Sequence, residues 1–131
     1  MIPLESPAAL TYFCLSELAK GAQTHGHPWK LMTMAVTNSE NKPRSMMVVL
    51  RDFGANKLYF FTDKRSQKIK DFKLNPYASF CLFNNELAIQ LQLNCEVIVH
   101  SDDGLCKDYW DKLPAHNKIC YASPDNPGKP L

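Results

Sequence analysis

The sequence of 131 residues contains only five glycines, and they do not cluster. It therefore lacks the glycine-rich loops that cradle phosphates in P-loop and dinucleotide-binding proteins, and no serine stands between glycines as a nucleophile would. These absences remove the common patterns of phosphoryl transfer and of acyl transfer. If the chain is an enzyme, we expect its reactive chemistry to belong to a bound cofactor.

Strong charge is also missing, because the formal net charge is only +2. A protein that binds duplex nucleic acid usually concentrates far more basic charge, so we expect neither nucleic acid nor a membrane as a partner. No apolar run approaches the roughly 20 residues of a membrane-spanning helix, and no signal-peptide pattern opens the sequence. The length and the 45% apolar content are typical of one globular domain spanning residues 1–131.

The five cysteines are scattered, and no two of them have the close spacing of a zinc ribbon or a redox motif. This pattern indicates reduced thiols and predicts a cytoplasmic location. Of the four histidines, only His25 and His27 are close together, and they lie in a polar linker without further candidate ligands. We therefore expect no metal site.

Hydrophobic periodicity predicts a mainly β protein with flanking helices. Ser6 and Pro7 begin a helix that Gly21 is expected to end, a short helix covers 66–74, and a last helix begins near residue 101. The predicted strands are 29–37, 44–51, 57–62, 77–83 and 87–100. Because strands joined by tight turns are antiparallel, and long strands commonly bend in small barrels, the pattern predicts an antiparallel barrel.

The segment 59–72, "YFFTDKRSQKIKDF", passes from an aromatic strand into a basic helix. Thr62 closes the strand, Ser66 opens the helix, and Lys64, Arg65 and Lys68 surround the junction. A helix N-terminus offers free amide donors and a positive field, so this junction could hold an anion. A solvated turn with an ordinary helix cap explains the same residues, and the sequence pattern leaves both interpretations open.

Two further polar features also have two interpretations. Arg51 ends the second predicted strand, where it could meet solvent or bind an anion. Gln90 and Gln92 lie on the polar face of the last strand, and a solvated outer face is the simpler explanation for them.

Four segments carry a resemblance by their order and spacing: "PRSMMVVLRDF", "LYFFTDKRSQKIKDFKLNPYAS", "LAIQLQLNCEVIV" and "DYWDKLP". Together they resemble the pyridoxamine 5′-phosphate oxidase-like family, the FMN-binding split barrels, over residues 32–117. The resemblance implies a six-stranded antiparallel split β-barrel that forms a homodimer, with FMN in grooves at the subunit interface. It implies an FMN-dependent oxidoreductase of unidentified small-molecule substrate. The alternative is a non-catalytic flavin- or haem-binding module on the same barrel.

The resemblance also assigns site residues. Phe61 and Thr62 would flank the flavin ring and the ribityl chain, and residues 66–68 would lie at the phosphate. Arg51 and Tyr109 correspond to substrate-binding positions of the oxidases. The full set implied for FMN is Met46, Met47, Val48, Val49, Phe61, Thr62, Ser66, Gln67, Lys68 and Gln90.

Departures from the family pattern concern the phosphate and the substrate. Met46 and Gln67 stand where family members usually carry arginines that hold the phosphate. Arg44, on the same strand face as Met46, and Arg65 are candidates to compensate. Leu113 replaces a substrate-binding arginine, and the sequence ends before the C-terminal segment that completes the site in those oxidases. We therefore expect a relative rather than a true pyridoxamine phosphate oxidase.

Overall fold

The structure, a computed structural model, describes residues 6–63, 65–100 and 104–112, without the side chains of 106, 109, 110 and 112. The predicted mainly β chain with flanking helices is confirmed. Its helices are α1 (Pro7–Gln23), α2 (Gln67–Leu74) and α3 (Gly104–Lys112). Its strands are β1 (Leu31–Thr37), β2 (Pro43–Val49), β3 (Asp52–Gly54), β4 (Lys57–Tyr59), β5 (Tyr77–Asn84) and β6 (Ile89–Glu96).

The strands form two antiparallel sheets. Four of them pair in the order β2-β1-β5-β6, and β3 pairs with β4 in a separate hairpin. No strand ladder joins the two sheets within the described ranges, so the closed six-stranded barrel stays a prediction. Also within those ranges, no helix is both long and apolar enough to cross a bilayer.

The strand boundaries depart from the sequence prediction at several places. The predicted strand 57–62 ends at Tyr59, so Thr62 lies beyond β4 and does not close it. Residues 52–54, predicted as part of a turn, form β3, and the turn is confined to Ala55 and Asn56, whose φ values of 51° and 58° suit a two-residue hairpin. The last strand covers 8 residues instead of the predicted 14. Beyond it, the Val97 amide donates to the Pro76 carbonyl at 2.6 Å and the chain leaves the ladder. Alternation continues in the sequence there, but the partner strand has already ended.

Helix α1 also continues past its predicted end at Gly21 and reaches Gln23. Gly21 is buried, and a Cβ atom built there would lie 2.9 Å from Nδ1 of His27. This glycine therefore permits a close approach of the His27 ring and does not terminate the helix.

One face of the four-stranded sheet carries the core. Phe80 of β5 lies on this inner face, with its ring centroid 5.8 Å from that of Phe60, which in turn contacts Phe72 of α2 at 6.4 Å. Leu18 of α1 and Trp29 are completely buried in the same cluster. The opposite, outer face of the sheet exposes four large apolar side chains: Leu31, Met47, Tyr77 and Phe83.

Candidate functional site

The N-terminal end of α2 is built by Ser66. Its side chain accepts a hydrogen bond from the Lys68 amide at 3.3 Å, which is the ordinary arrangement of a helix cap. The Ser66 side chain is nearly fully buried. Lys68 lies one turn before the buried Phe72 and therefore shares its face of the helix. Lys68 therefore lies in the first turn of α2, where the helix dipole adds to its positive charge.

A second cation lies beside Lys68. Burial lowers the pKa of Lys68, and the positive charge of Arg44 lowers it further, so the two cations are close enough to repel each other. Arg44 pairs across the ladder with Val36, whose side chain is in the core, so the Arg44 side chain starts from the inner face. Neither charged group forms an ion pair or a side-chain hydrogen bond with any described residue. The arrangement favours an anion between them.

The neighbouring polar side chains of this segment are engaged with carboxylates. The Arg65 guanidinium grips Asp63 with two bonds, at 2.9 Å and 2.6 Å. The Gln67 amide donates to the buried carboxylate of Asp71 at 3.2 Å. The positive charge of Arg65 is therefore balanced by Asp63, whereas Arg44 forms no ion pair with any described residue.

The residues of β2 divide between the two faces of the sheet. Met46 is half-buried on the inner face and Val48 is in the core, so only the backbone of Val48 is available to a ligand. Met47 and Val49 point to the outer face. Because β2 pairs only with β1 among the described strands, one side of its backbone has no ladder partner and could contact a bound molecule.

The structure brings together Arg51 and Phe61, which were predicted to contact substrate and flavin. The guanidinium carbon of Arg51 lies 5.8 Å from the centroid of the Phe61 ring, a cation–π distance. Lys30, which the sequence analysis did not single out, lies nearby. Burial and the Arg51 charge lower the pKa of Lys30, and its ammonium donates to the Ala22 carbonyl at the end of α1. Thr62, the residue that follows Phe61, is half-buried. Lys30 immediately precedes β1 and is two residues before the buried Met32, and this spacing was the signal available beforehand.

Of the remaining predicted site residues, Gln90 lies away from β2, and the structure does not test the assignment of Tyr109. Gln90 lies on the outer face of β6, opposite Phe83, and two strands separate β6 from β2. At the spacing of neighbouring strands, that is about 14 Å across the sheet. Tyr109 falls in α3, but its side chain lies outside the described part of the structure.

A groove of about 520 Å³ opens at the end of the sheet where β1 ends and β5 begins. Its lining is mostly apolar, with Val36, Pro43 and Tyr77, and also includes the polar side chains of Asn94 and Glu96. None of the residues predicted to contact FMN lines it, and all of those residues are in the described ranges. The predicted site and this groove are therefore different places.

Comparison with known proteins places this geometry in a family. Residues 13–101 match the family model described as pyridoxamine 5′-phosphate oxidase, FMN-binding domain. A pyridoxine/pyridoxamine 5′-phosphate oxidase of Nostoc punctiforme is 28% identical over 88 residues, which cover 67% of this chain and 41% of that protein. The chain thus matches about two fifths of the length of that relative.

Two solved structures are informative about the fold. A pyridoxamine 5′-phosphate oxidase-related, FMN-binding protein of Nostoc punctiforme has a TM-score of 0.73 at 21% identity, covering 91% of this chain and 65% of that one. The haem storage protein HutZ of Vibrio cholerae has a TM-score of 0.55 at 12% identity, covering 74% and 70%. The partial match to the oxidases fits a relative rather than a true oxidase. The chain belongs to the pyridoxamine 5′-phosphate oxidase FMN-binding domain family.

Proposed function

We propose that this chain binds FMN and acts as an FMN-dependent oxidoreductase on a small molecule yet to be identified. The observation that carries the proposal is Lys68, a half-buried cation at the capped N-terminus of α2 that forms no ion pair with any described residue, and the positive charge of Arg44 acts on it as well. A phosphate monoester is a dianion near neutral pH, so it would balance both charges and accept hydrogen bonds from the first turn of the helix.

The residues around this cluster suit the rest of FMN. When bound, FMN supplies the redox chemistry, and the protein supplies position and electrostatics. Phe61 and Thr62 are half-buried and follow β4, where they would flank the flavin ring and the ribityl chain. The unpaired edge of β2 offers backbone donors and acceptors along Met46 to Val49. Arg51, held over Phe61, would anchor an anionic substrate beside the ring, and Tyr109 is proposed to contact it.

We further propose a homodimer that forms through the outer face of the sheet. Met47, Phe83, Leu31 and Tyr77 are each more than half exposed on that face, at 54%, 56%, 51% and 62%. Exposed apolar side chains on one face of a sheet are typical of an interaction site. Gln90 belongs to the same face, so it would reach a flavin in a groove between two subunits and not in one subunit alone. The cytoplasmic location stays a prediction from the cysteine content.

Titration with FMN tests the binding proposal. We expect FMN fluorescence to be quenched by the purified protein, and Lys68→Ala to weaken binding about 10- to 100-fold, as loss of one charge-assisted bond of roughly 1.5–3 kcal/mol implies. Lys70→Ala is the matched control, because Lys70 is an exposed lysine of the same helix. Equal affinities of the two variants would show that the phosphate lies elsewhere, and a protein that does not respond to FMN would refute the proposal.

The likeness to HutZ keeps a second function open, namely a non-catalytic flavin- or haem-binding module. The visible spectrum of the purified protein distinguishes the two. A bound flavin that is bleached by an added reductant and restored by air supports the oxidoreductase. A chromophore that stays bound through the same treatment without turnover, or a haem spectrum after titration with haemin, supports the binding module.

A further inference from the structure

We propose that the groove at the end of the sheet binds an organic cation, namely a protonated amine on an apolar body. The site is separate from the proposed FMN site, because none of the residues predicted to contact FMN, all of which are described, lines the groove. Its volume of 520 Å³ falls within the roughly 300–1,000 Å³ that is usual for small-molecule sites. The inference goes beyond the proposed function and does not depend on it.

The strand register places the groove on the outer face of the sheet. Val36 pairs with Ala78, and both side chains are buried in the core. Ala78 pairs on its other side with Cys95. Successive residues of a strand point to opposite faces, so the neighbours of these three residues in the chain point outward. Six of the residues that line the groove are such neighbours: Ala35, Thr37, Tyr77, Ser79, Asn94 and Glu96.

A row of short side chains forms the floor of the groove. Ala35 pairs with Ser79, and Ser79 pairs with Asn94, so this row crosses three strands that lie about 4.8 Å apart. The next row along β5 and β6 contains Tyr77 and Glu96, which are also directly paired. Because the side chains of this second row are longer, they stand above the floor and form a wall against which an apolar body can lie.

The charge of the lining selects the ligand. Among the described residues that line the groove, Glu96 supplies the only carboxylate, and there is no lysine, arginine or histidine. Glu96 forms no ion pair and no side-chain hydrogen bond with any other residue of the described ranges. A protonated amine would give this carboxylate a charge-assisted hydrogen bond. A phosphate would instead meet a like charge, so the groove favours a ligand opposite in charge to FMN.

The ring of Tyr77 supplies a second contact for a cation. Tyr77 is 62% exposed and lies directly opposite Glu96, where paired side chains have Cβ atoms about 4.5–5.5 Å apart. At this separation an ammonium group bound to the carboxylate can also contact the ring, since cation–π attraction extends to about 6 Å. The side chains of Asn75 and Asn94 add neutral hydrogen-bonding groups. A carboxylate, an aromatic ring and amides together recognise an amine.

The groove shares the outer face with the apolar side chains of the proposed dimer interface. Tyr77 belongs to both sets, whereas Leu31, Met47 and Phe83 do not line the groove. Phe83 lies at the other end of β5, about 20 Å from Tyr77 at the usual rise of a strand. A small ligand at the Tyr77 end leaves the other three side chains uncovered, so ligand binding and dimer formation can be measured separately.

The test titrates two probes of nearly the same shape, phenethylamine and 2-phenylethanol, of which only the first is a cation. Binding is followed by NMR, and the amide signals of the floor row should shift. We expect the wild type to bind the amine about fivefold more tightly than the alcohol, and Glu96→Gln to abolish the difference. Glu86→Gln is the matched control, because it removes a negative charge from an exposed turn before β6 and should resemble the wild type.

Two further positions test the wall and the floor. Tyr77→Leu should weaken the amine about threefold through loss of the ring, whereas Tyr77→Phe keeps the ring and should retain binding. Ala35→Leu puts a larger side chain on the floor and should weaken both probes, and Ala35 is exposed, so the fold should tolerate the change. Thermal unfolding and light scattering first establish that each variant is folded and has the oligomeric state of the wild type.

Each outcome decides a point. If the wild type binds the amine no more tightly than the alcohol, or binds neither probe at millimolar concentration, the inference is overturned. Equal losses in Glu96→Gln and Glu86→Gln would also overturn it, because bulk charge would then explain the effect. FMN titration of Glu96→Gln tests the separation of the two sites: unchanged FMN affinity supports it, and a parallel loss refutes it. A wild type that ignores FMN but prefers the amine would overturn the proposed function alone.

Discussion

Replacing Gly21 by alanine tests the packing of α1 against the segment that follows it. In an ordinary helix interior this change stabilises a protein by about 1 kcal/mol, because glycine costs more backbone entropy than alanine. Here the new Cβ would lie 2.9 Å from Nδ1 of His27, closer than such atoms approach, and 3.3 Å from Cε1, which is a tight contact. Either the helix or the imidazole ring must move.

Movement of the ring has a cost that its hydrogen bonds define. Nδ1 of His27 accepts from the Trp29 amide at 3.0 Å, and Nε2 lies 3.3 Å from the Glu17 carboxylate. The lost bond to Glu17 costs roughly 0.5–1.5 kcal/mol, and the buried Trp29 amide left without an acceptor costs about 1–3 kcal/mol. After subtracting the gain of about 1 kcal/mol in helix propensity, we expect Gly21→Ala to destabilise the fold by roughly 0.5–3.5 kcal/mol.

A double-mutant cycle measured by urea unfolding isolates this effect. In a His27→Ala background the ring is gone, so Gly21→Ala should instead stabilise by up to about 1 kcal/mol. Gly54→Ala is the control, since a Cβ there meets no atom within 4 Å. A stabilising Gly21→Ala in the wild-type background would refute the reasoning, because it would mean that the ring moves aside without cost.

Three further predictions concern the site, the core and the interface. Burial and Arg44 lower the pKa of Lys68, and a bound phosphate would raise this pKa again. The ratio of the FMN affinity to the riboflavin affinity should therefore fall as the pH rises into the alkaline range below the ordinary lysine pKa. A ratio that does not change with pH in this range would contradict the assignment. Phe80→Ala should destabilise by about 3–5 kcal/mol in thermal or urea unfolding, since Phe80 is 1% exposed, and a cost under 1 kcal/mol would show that the inner face is not the core. Met47→Glu on the outer face should convert a dimer to a monomer in light scattering with little change in unfolding of the monomer, whereas an unchanged dimer would place the interface elsewhere.

Much of the secondary structure follows from local patterns. Alternation in β6 correctly separated the inner from the outer side chains, because successive residues of a strand point to opposite faces. Ser66 marked the beginning of α2, since a hydroxyl at this position satisfies a free amide of the first turn. The ends of elements were less predictable. The long alternation after Glu96 continues in the sequence, but a strand lasts only while a partner lies beside it.

The same division applies to the candidate site. Ser66 and Lys68 belong to one helix turn, so helical geometry alone places them together. Arg44 starts from the inner face of the sheet only through the pairing of β2 with β1, and Gly21 meets His27 only because the chain turns back after α1. Gln90, assigned to the same ligand, lies across the sheet on the other face. Periodicity over a few residues records which side of an element a residue occupies, whereas contact between distant residues depends on the register and packing of whole elements.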